Sequence, residues 1–121
     1  MKNEEKDLVS RTKIFARRII RLHVALPKTS VVAQVLGKQV LRSGTSVGAN
    51  YREANRGRSK AEFISKMGDC LKEADETLYW LELLSEEQLV SAARLQPLIS
   101  EADELVAIFT TICKRARGDD E

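Results

Sequence analysis

Apolar and small residues recur at spacings of three and four from Val32 to Ala54, and the pattern does not pause where the chemistry changes. Val32, Leu36, Val40, Ser43, Val47, Asn50 and Ala54 fall on one stripe of a helix. Gly37, Leu41, Gly44, Gly48 and Tyr51 fall on a second stripe beside it. Yet residues 39–54 are mostly small and polar, and a glycine inside a helix costs about 1 kcal/mol relative to alanine. A helix of that composition persists only if neighbours press on it, and small residues at this spacing let another backbone approach closely. The segment therefore predicts a packed helical protein, with Gly44 and Gly48 at a close contact, which we assign to an interface between chains.

Three further helical patterns flank this one. Leu8, Thr12, Phe15, Ile19, Leu22 and Leu26 make a core stripe, with Val9, Ala16 and Ile20 widening it, and Pro27 ends the helix because the residue before proline is pushed out of helical geometry. Ser59-Lys60-Ala61-Glu62 is a capping box that opens a third helix with core positions Ile64, Met67, Leu71, Ala74, Leu78 and Leu81. A fourth carries Leu95, Leu98, Ala102, Leu105, Phe109, Ile112 and Ala116 inward. Pro97 implies either a regular helix that begins near Gln96 or an irregular opening turn. The expected spans are about 4–26, 30–55, 60–85 and 92–117, joined by short connections. That is an antiparallel up-and-down four-helix bundle in a single domain, with a frayed tail from Gly118.

At 121 residues one domain can bury roughly 65% of its unfolded surface without staples. Six glycines and two prolines fit helices better than sheets, and with aromatics at 5% the core must be built from aliphatic side chains. The charged start and the lack of an apolar run of about 18 residues give no expectation of a signal peptide or membrane span. Cys70 and Cys113, far apart and outside any Cys-x-x-Cys pair, read as small core residues in a reduced, cytoplasmic setting.

Charge is divided unevenly along the chain. Residues 1–60 hold 14 Lys/Arg and 4 Asp/Glu, a net +10; residues 61–121 hold 6 and 14, a net −8. Lys13, Arg17 and Arg21 repeat every four residues, with Arg11 and Arg18 on the flank, and like charges at that spacing repel mildly. Arg52, Arg56 and Arg58 cluster where the second helix ends, a place the helix dipole favours for cations in any case. These eight residues are candidate phosphate contacts for RNA or DNA. The alternative is that acidic helices of the same or adjoining subunits neutralise them.

Arg42, Ser46, Asn50 and Glu53 form a polar stripe beside the valines. Arg42 and Glu53 are roughly 16 Å apart along a helix, so each needs a partner elsewhere, and Glu76 is the expected partner of Arg42. Such groups usually set register. Tyr79 and Trp80 lie partly off the third helix's core face and are candidates for a subunit contact. No Walker loop, Glu-x-x-His pair or metal-ligand spacing occurs, and the single histidine, His23, has no acidic or thiol companion nearby in sequence. Neither enzymatic chemistry nor a cofactor or metal is expected.

Gln39, Arg42, Ser43, Ser46, Val47, Ala49, Asn50 and Glu53 also match a longer pattern, followed by Phe63-Ile64 and the block from Lys72 to Leu81. In these residues the chain resembles the four-helix-bundle family of 23S ribosomal RNA intervening-sequence proteins, which includes accessory proteins of diversity-generating retroelements. The resemblance spans nearly the whole chain and implies ring-like homopentamers. Apolar faces on the first two helices, wider than one interior needs, independently suggest self-association. The expected function is a non-enzymatic homo-oligomeric accessory protein that binds structured RNA or DNA through its basic surface; the alternative is an oligomeric scaffold without nucleic-acid affinity.

Overall fold

The computed structural model describes residues 3–118, which form four helices: α1 (Asn3–Ala25), α2 (Val31–Asn55), α3 (Lys60–Glu86) and α4 (Ala92–Arg117). No strand occurs among the described residues. Their order around the bundle follows the chain: α1 packs on α2, α2 on α3 and α3 on α4, while α4 meets α1 only sparsely.

The contacts themselves give the direction of each helix. Gly37 of α2 lies against Leu26 and His23, Gly44 against Ile19, and Gly48 against Thr12, so rising numbers on α2 meet falling numbers on α1. Likewise Arg42 faces Glu73 and Glu76, whereas Glu53 faces Lys66, which makes α3 antiparallel to α2. The five residues between α3 and α4 turn the chain back once more. The result is an up-and-down four-helix bundle.

The glycine-bearing middle of α2 is an unbroken helix, held because α1 fills the space above it. A methyl group on Gly44 would sit 2.8 Å from Cγ1 of Ile19 and 3.2 Å from its Cβ, closer than carbon atoms tolerate. Ile19, Phe15, Met67, Leu81, Leu84, Leu95, Leu105 and Phe109 fill the interior between the helices. Tyr51 reaches across from α2 to Phe109 of α4, with ring centroids 6.1 Å apart.

The inward stripes differ from expectation on three helices; on α4 Cys113 is buried, whereas Ile112 and Ala116, expected inward, are half-buried. Val32 is exposed, because the buried line on α2 runs through Ala33, Gly37, Val40, Gly44, Val47, Tyr51 and Ala54, turned toward α1 by the small residues that let α1 in close. On α3 the fully buried positions are Met67, Cys70, Ala74, Thr77, Leu81 and Leu84, while Ile64, Leu71 and Leu78 are half-buried on the flank.

Ser30, Ser59 and Ser91 cap α2, α3 and α4, each hydroxyl accepting from the backbone N–H three residues on. Glu62 turns back to accept from the N–H of Arg58 at 2.6 Å, closing the capping box one residue earlier than the usual reciprocal bond to Ser59. The end of α3 is a Schellman turn: Leu89 N–H donates to the Leu84 carbonyl and Gln88 N–H to that of Ser85, with Gln88 at a left-handed φ of 56°. Pro97 neither delays nor breaks α4, which is helical from Ala92. Pro97 and Ala93 are both exposed, so water can bond the carbonyl of Ala93 that the missing N–H leaves free. Gly118 ends α4 at φ 79°; the rest of the expected frayed tail lies outside the described residues.

Candidate nucleic-acid interface

Basic side chains divide into those answered within the chain and those left open. Arg11 belongs to the first group. Its Nη2 donates to Glu101 Oε1 at 2.7 Å and its Nε to Oε2 at 3.1 Å, a bidentate pair joining α1 to α4, with Glu104 3.5 Å away. The two carboxylates hold the Arg11 guanidinium above its ordinary pKa. This fork removes Arg11 from the candidate phosphate contacts, because α1 and α4 have few other points of contact and both ends of the pair are largely covered.

Lys13, Arg17 and Arg21 stand exposed along α1, and Arg52, Arg56 and Arg58 stand exposed at the end of α2; Arg18 is half-buried. Among the described residues none of these seven has a carboxylate within ion-pair distance, in contrast to Arg11, Arg42 and Lys66. Antiparallel packing brings the start of α1 beside the end of α2, so Lys13 joins Arg52 and Arg56 on one edge. Register across two helices, not spacing within either, assembles this group.

Between those cations runs a groove of about 640 Å³. Its floor is Thr12, Ala16, Thr45, Gly48 and Ala49, and Lys13, Arg52 and Arg56 stand at its rim. Val9 and Asn55 complete it; Asn55 Nδ2 is buried with no hydrogen-bond partner among the described residues. Small side chains on both helices leave the groove open. Sequence reasoning missed it and Asn55, although Ala16, Thr45 and Ala49 were a usable signal: all three are smaller than the neighbouring stripe residues Phe15, Ile19, Val40 and Val47.

The polar stripe is structural. Arg42 Nη1 donates to Glu73 Oε2 at 3.3 Å and Nη2 lies 3.8 Å from Glu76, so the expected partner is present but Glu73, one turn earlier, is nearer. Burial and the neighbouring Glu76 together lift the Glu73 carboxyl above its ordinary pKa despite Arg42. Ser46 donates to the Arg42 carbonyl at 2.7 Å, Glu53 pairs with Lys66 at 3.0 Å, and Asn50 is half-buried beside them.

Of the residues assigned to a subunit contact, Gly44 and Gly48 are buried under Ile19 and Thr12 of the same chain, so the close approach they permit is between α1 and α2. Tyr79 is 55% exposed and stacks edge-on against half-buried Trp80 at 5.0 Å. The apolar faces of α1 and α2, expected to be wider than one interior needs, leave a larger surface open. Ile20, Val24, Val31 and Val35 are all exposed where α1 ends and α2 begins, with Val24 at 64% and Val31 at 77%.

Burial pushes the Cys70 thiol up to about 12, and Cys113 is buried as a free thiol too. Among the described residues no three His, Cys, Asp or Glu side chains gather as a metal site requires, and no helix is long and apolar enough to cross a membrane.

The family described as 23S rRNA-intervening sequence protein matches residues 4–111. A crystal structure of a protein of unknown function from the S23 ribosomal protein family of Bacteroides thetaiotaomicron is similar, with 38% identity and a TM-score of 0.79. The match covers 91% of this chain and 97% of that one. No curated protein sequence matches.

Proposed function

Because this chain belongs to the 23S rRNA-intervening sequence protein family, whose matched relative has no known function, we propose its role from its surface: a non-enzymatic accessory protein that binds structured RNA or DNA. The observation that carries this is a set of six exposed cations without carboxylate partners among the described residues, Lys13, Arg17 and Arg21 along α1 and Arg52, Arg56 and Arg58 at the end of α2, with Lys13, Arg52 and Arg56 meeting on one edge. Arg11 and Arg42, by contrast, are neutralised within the chain, through Glu101, Glu73 and Glu76. An edge left positive in a chain of net charge +2 attracts polyanions and releases their counterions on binding.

The protein assembles with itself, in the ring of five that the resemblance implies. Ile20, Val24, Val31 and Val35 support this reading, since an apolar cluster at one end of a bundle is what a sister chain covers. Assembly repeats the basic edge on every subunit and raises avidity for a long polyanion. The two buried free thiols suit a reducing cytoplasm.

The test is binding of a structured RNA across a salt series. Six phosphate contacts per chain correspond to a loss of about a thousandfold in affinity between roughly 50 and 200 mM salt. Charge reversal at Arg17 and Arg21 should weaken binding further at every salt. No detectable binding at low salt rejects the proposal; if the protein still forms a salt-sensitive oligomer, the cluster of exposed valines favours a protein scaffold instead.

A further inference from the structure

We propose that the groove between α1 and α2 takes one unpaired nucleotide of the bound strand, with its phosphate among Lys13, Arg52 and Arg56 and its sugar and base against the floor of small residues. This rests on the nucleic-acid reading above and gives it a substrate class: strands with bulged, looped or single-stranded nucleotides, in preference to perfect duplex.

Shape is the first argument. A paired helix presents phosphates on a convex ridge with the bases turned inward, so contacts to it need only an exposed edge. The groove is concave and its volume of about 640 Å³ is that of a small-ligand site. Only a nucleotide turned out of its stack can enter.

Chemistry is the second. Arg52 and Arg56 are one turn apart on α2, and Lys13 reaches the same rim from α1, so one anion between them is approached from two helices. An extruded nucleotide is flanked by two phosphodiesters, whose four non-bridging oxygens can engage both arginines and the lysine, whereas a lone carboxylate brings only two oxygens to that donor set. The floor offers methyl groups from Ala16, Thr45 and Ala49 and no carboxylate. The Thr45 hydroxyl is turned into its own helix, donating to the Leu41 carbonyl at 2.7 Å, and Thr12 does the same toward Leu8. Polar specificity therefore falls to Asn55, whose buried Nδ2 lacks an acceptor; an unmet buried donor is costly, and a base carbonyl or ribose oxygen in the groove supplies what is missing.

The experiment compares two fluorescent RNAs, a perfect duplex and the same duplex with one bulged nucleotide, binding to the full chain at low salt. Ala49→Leu obstructs the groove with an aliphatic side chain without altering charge, and exposed Ala49 carries no core packing; Asn55→Ala is a second variant, and a thermal melt checks each fold. The unsubstituted protein should bind the bulged RNA about fivefold more tightly, a modest preference because no aromatic ring lines the groove to stack the base. Ala49→Leu should abolish that preference, read as the ratio of the two affinities, and Asn55→Ala should reduce it. Equal affinity for both RNAs, or a preference that survives Ala49→Leu, overturns the inference while the basic-edge reading stands. Failure to bind either RNA overturns both. Displacement of bulged RNA by an acidic peptide at equal charge concentration assigns the groove to a protein side chain and also overturns it.

Discussion

The Thr77 hydroxyl on α3 lies 2.8 Å from the Ser43 hydroxyl on α2, and both residues are fully buried. It is a polar link across the most extensive helix contact in the bundle. Each hydroxyl also has a carbonyl on its own helix: Ser43 donates to Gln39 at 2.9 Å, and Thr77 lies 2.7 Å from the Glu73 carbonyl.

That arrangement limits what the link contributes. Ser43→Ala and Thr77→Val should each lower unfolding stability by about 1 kcal/mol, because the partner left behind keeps its backbone bond and is not orphaned. A double-mutant cycle read by denaturant melts should return a coupling below about 1 kcal/mol. A value of several kcal/mol would mean that the two hydroxyls depend on each other alone.

Two glycine substitutions should have opposite signs. Gly68 on α3 has no neighbour within 4 Å of where a methyl would go, so Gly68→Ala should stabilise by about 0.5–1 kcal/mol through helix propensity. Gly44→Ala drives a methyl into the β-branch of Ile19, and about 1–3 kcal/mol of overpacking outweighs the same propensity gain. Thermal melts of the two variants, read side by side, decide it.

Gln88 occupies a left-handed turn position that costs a side-chain-bearing residue about 1 kcal/mol. Gln88→Gly should therefore raise stability by up to about 1 kcal/mol, since the Schellman bonds of Leu89 and Gln88 use backbone atoms only. An unchanged or lowered denaturation midpoint would count against the strain.

Glu73 links stability to pH. Its carboxyl titrates above the ordinary value because burial and Glu76 oppose its charge more than Arg42 supports it. A raised folded-state pKa means that protonation favours the fold: the contribution is full below the unfolded-state value and is lost as pH rises through the folded-state value. Glu73→Gln should be at least as stable as the unsubstituted chain at neutral pH, and the difference should shrink as pH falls through the carboxylate range. Denaturation midpoints measured on both proteins across that range supply the comparison, and a gap that widens on acidification contradicts the assignment.

Much of the fold was legible because helix periodicity is a local property. Leu8, Thr12, Phe15, Ile19, Leu22 and Leu26 are all buried, as their spacing implied, and Ser59 caps α3 where the capping box placed its start. The candidate site was legible in part. Exposed Lys13, Arg17 and Arg21 follow from one helix's own pattern, whereas the loss of Arg11 to Glu101 depends on a residue ninety positions away. Glu73 over Glu76 as the nearer partner of Arg42 turns on a rotation of less than one turn, which periodicity does not resolve.

By itself the sequence determined that four amphipathic helices form and that the middle of α2 must be covered, because these depend on residues within a turn or two of one another. Only the tertiary structure decided what does the covering. It put Ile19 and Thr12 over the glycines, withdrew Arg11 from the surface, and opened a groove between Lys13 and Arg52, since each of these depends on the register and rotation with which separate helices meet.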